Sequence, residues 1–165
     1  MSRHTVDPIP KVEWGPGAWQ NETDESRWID QRTGLRCAAR RNPAAGAWGG
    51  YVEITHPVLC KDVKDIQAMN FFDVHGGAIT YSGLLFEGET GWWLGFDCWH
   101  YDDLSPHITA VLAKLRPKRR ATLDSFVDSL MHVGVFRQTY RTLPYVKAEC
   151  ALLAAQIAAY QEERE

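Results

Sequence analysis

The stretch that decides the fold runs from Leu35 to Ile54 and reads LRCAARRNPAAGAWGGYVEI. Its first part alternates: Leu35, Cys37 and Ala39 share one face, and Arg36, Ala38 and Arg40 share the other. That period of two is the pattern of a half-buried strand. Asn42-Pro43-Ala44-Ala45-Gly46 is turn chemistry, and Trp48–Ile54 reads as the returning strand of an antiparallel hairpin. Further on, Val74–Phe86 (VHGGAITYSGLLF) is β-like, with Gly76-Gly77 marking a bulge, bend or close backbone approach. Gly88–Gly91 (GETG) turns the chain into Trp92–Trp99 (WWLGFDCW), the most hydrophobic strand. Two hairpins predict a sheet of at least four strands.

Helical signals lie downstream. Ser105-Pro106 is a capping serine followed by proline at the first helical position, and it predicts a helix to about Leu115. Residues 122–132 read as a second short helix, and Gly134–Tyr140 alternates as an edge strand would. Pro144 opens a long helix to about Glu163, in which Val146, Cys150, Leu153, Ile157 and Tyr160 recur at spacings of 4, 3, 4 and 3. Such a seam packs on the sheet of its own chain or on a second copy, so a homo-oligomer is the alternative. Residues 1–27, rich in proline, glycine and charge, read as an extended arm pinned to the body by Trp14 and Trp19. Residues 28–165 then form a single α+β domain: an antiparallel sheet of four to six strands packed against the C-terminal helix, 144–163.

Composition limits what this domain does. Of 165 residues, 45% are hydrophobic and 24% charged, so the chain is neither disordered nor fibrous. The net charge of −3 argues against bulk nucleic-acid binding, which draws on a basic surplus. No apolar run suits a secretory signal or a membrane span, which makes a cytoplasmic protein the expectation. The four cysteines form no CxxC pair, so they read as reduced and buried rather than as a disulfide or zinc framework.

Functional side chains are densest at Phe96-Asp97-Cys98-Trp99-His100-Tyr101-Asp102-Asp103, where the strongest strand runs out into a loop. In an antiparallel hairpin the start of one strand lies opposite the end of the next, so His75 is expected beside Asp97 and His100. These three are the candidate metal ligands or acid/base groups, with Asp102 or Asp103 as possible additions. Asp97 and His100 converge only where the strand bends or ends between them, because alternate residues face opposite ways. A thiol nucleophile at Cys98 is disfavoured by its apolar neighbours, and no phosphate-binding glycine loop is present. Arg36, Arg40 and Arg41 offer guanidinium forks for phosphate, and Tyr81, Trp99 and Tyr101 offer rings for stacking. The competing reading makes these arginines ordinary salt-bridge partners.

Several segments together resemble a family of small, mostly uncharacterised proteins encoded by phages and prophages. They are Thr33-Gly34-Leu35-Arg36-Cys37 with Arg40-Arg41, Gly50-Tyr51-Val52 with His56-Pro57, His75-Gly76-Gly77 with Thr80-Tyr81-Ser82, Trp93–Cys98 with His100, and Tyr140-Arg141-Thr142 with Tyr145–Glu149. Trp99 departs from the pattern, which has a small residue before the histidine. The resemblance implies a binding protein in a host cell's cytoplasm. It would hold or sequester a nucleotide-like or other small anionic ligand, such as a host immune signal, in evasion of host defence. On that reading it is a binder with no cofactor, and whether it is also an enzyme stays open. One alternative is a metal-dependent hydrolase of a phosphate ester using His75, Asp97 and His100. Another is a protein-binding inhibitor of a host factor anchored by the tryptophans of residues 14–28.

Overall fold

The computed structural model describes residues 9–115 and 137–164. Five strands, β1 (Glu25–Ile29), β2 (Arg36–Arg41), β3 (Trp48–Ile54), β4 (Tyr81–Leu84) and β5 (Trp92–Asp97), form one sheet in the order β1-β2-β3-β5-β4. Every neighbouring pair is antiparallel. Among the described residues three α-helices accompany it: α1 (Val63–Ala68), α2 (Pro106–Leu115) and α3 (Leu143–Glu162). This is the α+β architecture expected, with five strands and the long helix last.

Helix α3 starts where Thr142 accepts a hydrogen bond from the Tyr145 amide and Pro144 occupies the first turn. Its seam packs against β2 and β3: Val146, Cys150, Leu153 and Ile157 are fully buried against Cys37, Ala39, Val52, Leu94 and Phe96. Each such side chain contributes about 1.5–3 kcal/mol of transfer free energy. The seam is therefore spent on this chain's own sheet. No helix of the described residues is long and apolar enough to cross a membrane.

The opposite face of the sheet is closed differently. Ala38, Phe86 and Trp93 form a small buried cluster flanked by Tyr51 and Tyr81. Arginines lie over these rings, with the Arg27 guanidinium 3.3 Å from the Phe86 ring centre and Arg36 5.5 Å from that of Trp93. The helix-free face is thus roofed by cations instead of a second layer.

Two segments differ from the sequence expectation. Glu25–Ile29, assigned to the arm and the start of the body, is an edge strand paired with β2. Its charged residues suit an exposed edge, and the alternation is too short to stand out from the polar segment before it. Before it, Lys11–Trp14 and Ala18–Asn21 are single 3₁₀ turns, and Trp14 and Trp19 are buried. The β-like run Val74–Phe86 pairs only over Tyr81–Leu84, because His75–Gly77 forms a 3₁₀ turn with Gly76 at φ 77°. The expected helix over 122–132 and the first residues of the expected strand at Gly134–Tyr140 lie outside the described residues. Within that expected strand, Thr139 makes an isolated parallel bridge with Asp103.

Candidate functional site

The sheet register brings the first site together. Arg40 pairs with Gly49, and Gly49 pairs with Asp97, so one row across three strands reads cation, glycine, carboxylate. All three lie on the helix-free face. Gly49 has no side chain to fill the gap, and a Cβ there would run into the Tyr51 ring and hydroxyl. The result is a cleft of about 390 Å³ lined by Arg40, Asn42, Pro43, Trp48, Gly49, Tyr51, Asp97 and Trp99, among others. That volume falls within the usual range for small-molecule sites, about 300–1,000 Å³.

Trp99 is the wall that decides how this cleft reads. All seven tryptophans fall among the described residues. Trp14, Trp19, Trp48 and Trp93 are buried, Trp28 and Trp92 are half-buried, and Trp99 is 52% exposed. The strand ends at Asp97, whose Oδ1 accepts the Trp99 amide at 3.0 Å, and this local turn throws the ring outward. Asp97 keeps its second oxygen for another donor. Arg40 donates to the Leu85 carbonyl at 2.9 Å and lies 3.6 Å from Glu25, which uses only part of its five-donor fork. Burial, the largest influence, pushes the Tyr51 phenol above its ordinary value, so its hydroxyl stays a donor at neutral pH.

A second cluster lies on the other side of the Asp97–His100 turn. His75 Nε2 is 2.8 Å from Asp103 Oδ2, and its Nδ1 is 2.7 Å from the Tyr145 hydroxyl. Asp103 also accepts the His100 amide on Oδ2 at 3.0 Å and Arg141 Nε on Oδ1 at 2.7 Å. Glu149 accepts the His75 amide at 3.1 Å. Burial works to raise the Asp103 carboxyl, but hydrogen bonds from Arg141, His75 and the His100 amide hold it below its ordinary value. An ionised Asp103 requires a proton on His75 Nε2. Burial, with Glu149 nearby, holds the Tyr145 phenol above its ordinary value, so its hydroxyl keeps its proton beside His75 Nδ1.

The His100 ring lies 5.4 Å from that of His75, centre to centre, and its Nε2 is 3.0 Å from the Asp97 carbonyl. Gly76 makes this possible twice over. It adopts a left-handed φ, and a Cβ there would collide with the His100 ring. Donor atoms of His75, His100 and Asp103 all fall within 4.8 Å of one another.

The expected residues are therefore distributed between two places. Arg40, Arg41, Asp97 and Trp99 line the first cleft; His75 and His100 belong to the second cluster, with Asp97 Oδ1 at 3.6 Å from His100 Nε2. Tyr101 is exposed and borders a smaller depression of about 260 Å³ with Trp99, His100 and Ser105. Tyr81 faces Tyr51 edge-on and donates to the Leu84 carbonyl. Two of the arginines expected to grip phosphate have other partners. Arg36 is held on the surface by Glu53 and Glu89 at 3.1 and 2.9 Å. Arg41 has a side chain with no solvent exposure, locked to Asp24 at 2.8 Å and to the Gly46 carbonyl and Tyr140 hydroxyl. Both guanidiniums are thus already engaged by carboxylates, Arg36 at the surface and Arg41 in the interior.

The sequence reading missed Gly49 and Tyr51 in the cleft, and Arg141, Tyr145 and Glu149 in the cluster. Tyr145 and Glu149 sit four residues apart, one position before the seam residues Val146 and Cys150, and this border of the buried helix face was the available signal; Arg141, just before the helix, left none.

A thiol nucleophile finds no support in the geometry. Cys37, Cys98 and Cys150 are buried and Cys60 is exposed. Burial pushes the Cys37 thiol up to about 12 and raises Cys98 and Cys150 well above the ordinary thiol value. An aromatic disulfide reagent is expected to titrate Cys60 quickly in the folded protein and the other three only in denaturant. Fast reaction of a second thiol would contradict this packing.

Comparison with protein-family models, with curated proteins and with solved structures returns no match to this chain.

Proposed function

We infer that the protein is a small-ligand binding protein whose cleft takes a mononucleotide-like anion. The observation that carries this reading is the outward-turned Trp99 ring beside the Arg40–Gly49–Asp97 row. A flat ring suits a base, a partly free guanidinium suits a phosphate, and a carboxylate suits a base N–H or sugar hydroxyl. An anion alone would gain nothing from Asp97, whereas a nucleotide uses both charges. The resemblance to phage-encoded proteins adds a setting in which holding such a ligand withdraws it from the host.

A hydrolase acting on the same ligand class is the second reading, favoured by the convergence of His75 and His100 with Asp103 in place of Asp97. An inhibitor anchored by the N-terminal tryptophans is less well supported, because Trp14 and Trp19 are turned into the body.

Equilibrium dialysis against the four ribonucleoside monophosphates and their 3′,5′-cyclic forms, followed by chromatography of the bound fraction, tests the reading. Intact ligand supports a binder, product supports the hydrolase, and no retention of any member contradicts both. Trp99→Ala is expected to weaken retention about 5- to 150-fold, the loss of one base–ring stack of about 1–3 kcal/mol. It should leave the melting temperature unchanged, since the ring is half in solvent.

A further inference from the structure

The geometry points to a divalent transition-metal site formed by His75, His100 and Asp103, with zinc as the ion whose ligand preferences it fits. Two imidazoles and one carboxylate are a ligand set for zinc or another first-row metal that leaves positions open. Donor atoms from all three residues already lie within 4.8 Å of one another, so side-chain rotation of the half-buried His100 closes the site.

The surroundings of each ligand are those a metal site needs. Arg141 fixes Asp103 through Oδ1, and Oδ2, which also takes the His100 amide, faces His75. A carboxylate oxygen carries two lone pairs, so the amide and an ion can share Oδ2. Tyr145 sits on the far nitrogen of His75 at 2.7 Å. When an ion takes Nε2, the ring proton moves to Nδ1 and Tyr145 becomes its acceptor. The ring's orientation is thereby kept by the same partner. Gly76 adds an independent sign, since any side chain there would push the His100 ring away from His75. This inference does not depend on the nucleotide reading: its three ligands are not among the residues lining the Trp99 cleft, although Asp97 of that cleft lies 3.6 Å from His100, so the two can fail separately.

The test is zinc binding to the untagged full chain, measured by competition with a chromophoric chelator, with cobalt substitution as a second readout. One equivalent of tight binding is expected, and His100→Ala should weaken it at least about 100-fold, beyond what loss of a supporting residue does. The His100 side chain is 26% exposed, so His100→Gln, closer to it in size, is measured beside the alanine variant and is expected to lose tight binding while keeping the melting temperature. The cobalt form should show visible bands of a nitrogen–oxygen site without thiolate charge transfer, because Cys98 is outside the ligand set. Absence of stoichiometric binding, equal affinity of His100→Ala, or a thiolate band would each overturn the proposal.

Discussion

Asp103→Ala is expected to cost the fold about 3–5 kcal/mol, the usual consequence of removing one partner from a buried charged network. The Asp103 side chain has no solvent exposure, and it receives Arg141, His75 and the His100 amide from three separate segments. Alanine leaves a guanidinium, a ring N–H and an amide without their acceptor. Asp103→Asn should cost less and change the pH dependence. The Asp103 carboxyl is held below its ordinary value in the folded chain, so its contribution is complete above the unfolded-state value of about 3.9. It disappears as pH falls through the lower folded-state value, when the folded carboxylate at last takes up its proton. Urea unfolding of the native protein should therefore show a loss of stability beginning near pH 4 that the asparagine variant lacks. A cost below 1 kcal/mol for Asp103→Ala would show that the network does not hold these segments together.

Arg41→Ala is expected to lower the melting temperature by on the order of 10 °C, and Arg40→Ala to leave it almost unchanged. The two arginines are sequence neighbours on opposite faces of β2. Arg41 lies 4.4 Å from the centre of the Trp48 ring and ties Asp24 to the Gly46 carbonyl and Tyr140. Glu22, 3.6 Å from Arg41, in turn accepts from Trp48 Nε1 and the Leu143 amide at the start of α3. Removing the guanidinium leaves two carboxylates facing a buried space and loosens the arm from the body. Arg40 faces the cleft, so its alanine variant should lose ligand retention instead. Differential scanning calorimetry separates the two outcomes. Equal melting temperatures for both variants would contradict the division of the arginines into one structural and one ligand-facing group.

The period-two runs at Leu35–Arg41 and Trp48–Ile54 and the helical seam from Val146 to Tyr160 were legible because burial on one face leaves a mark in one short window. Glu25–Ile29 was not, since an edge strand with exposed charges satisfies its alternation through Ser26 and Trp28 alone. Arg41 shows the limit for single residues. The sequence places it next to Arg40, but only the three-dimensional approach of Asp24 and Tyr140 assigns it to the interior. The pairing of His75 with His100 followed from hairpin topology, as β4 and β5 do pair. Asp103 was a lesser candidate, because nothing in a polar loop sequence such as Tyr101-Asp102-Asp103 distinguishes the one carboxylate that is buried. Its partner Arg141 lies 38 positions on, and contacts of that range leave no local pattern.

Backbone amide shift mapping during titration with adenosine monophosphate tests the central claim most directly. The account predicts saturable shifts at Arg40, Gly49, Tyr51, Asp97 and the Trp99 indole, with helix α3 unaffected. Shifts centred on α3 or on β1, or none at millimolar nucleotide, would contradict it.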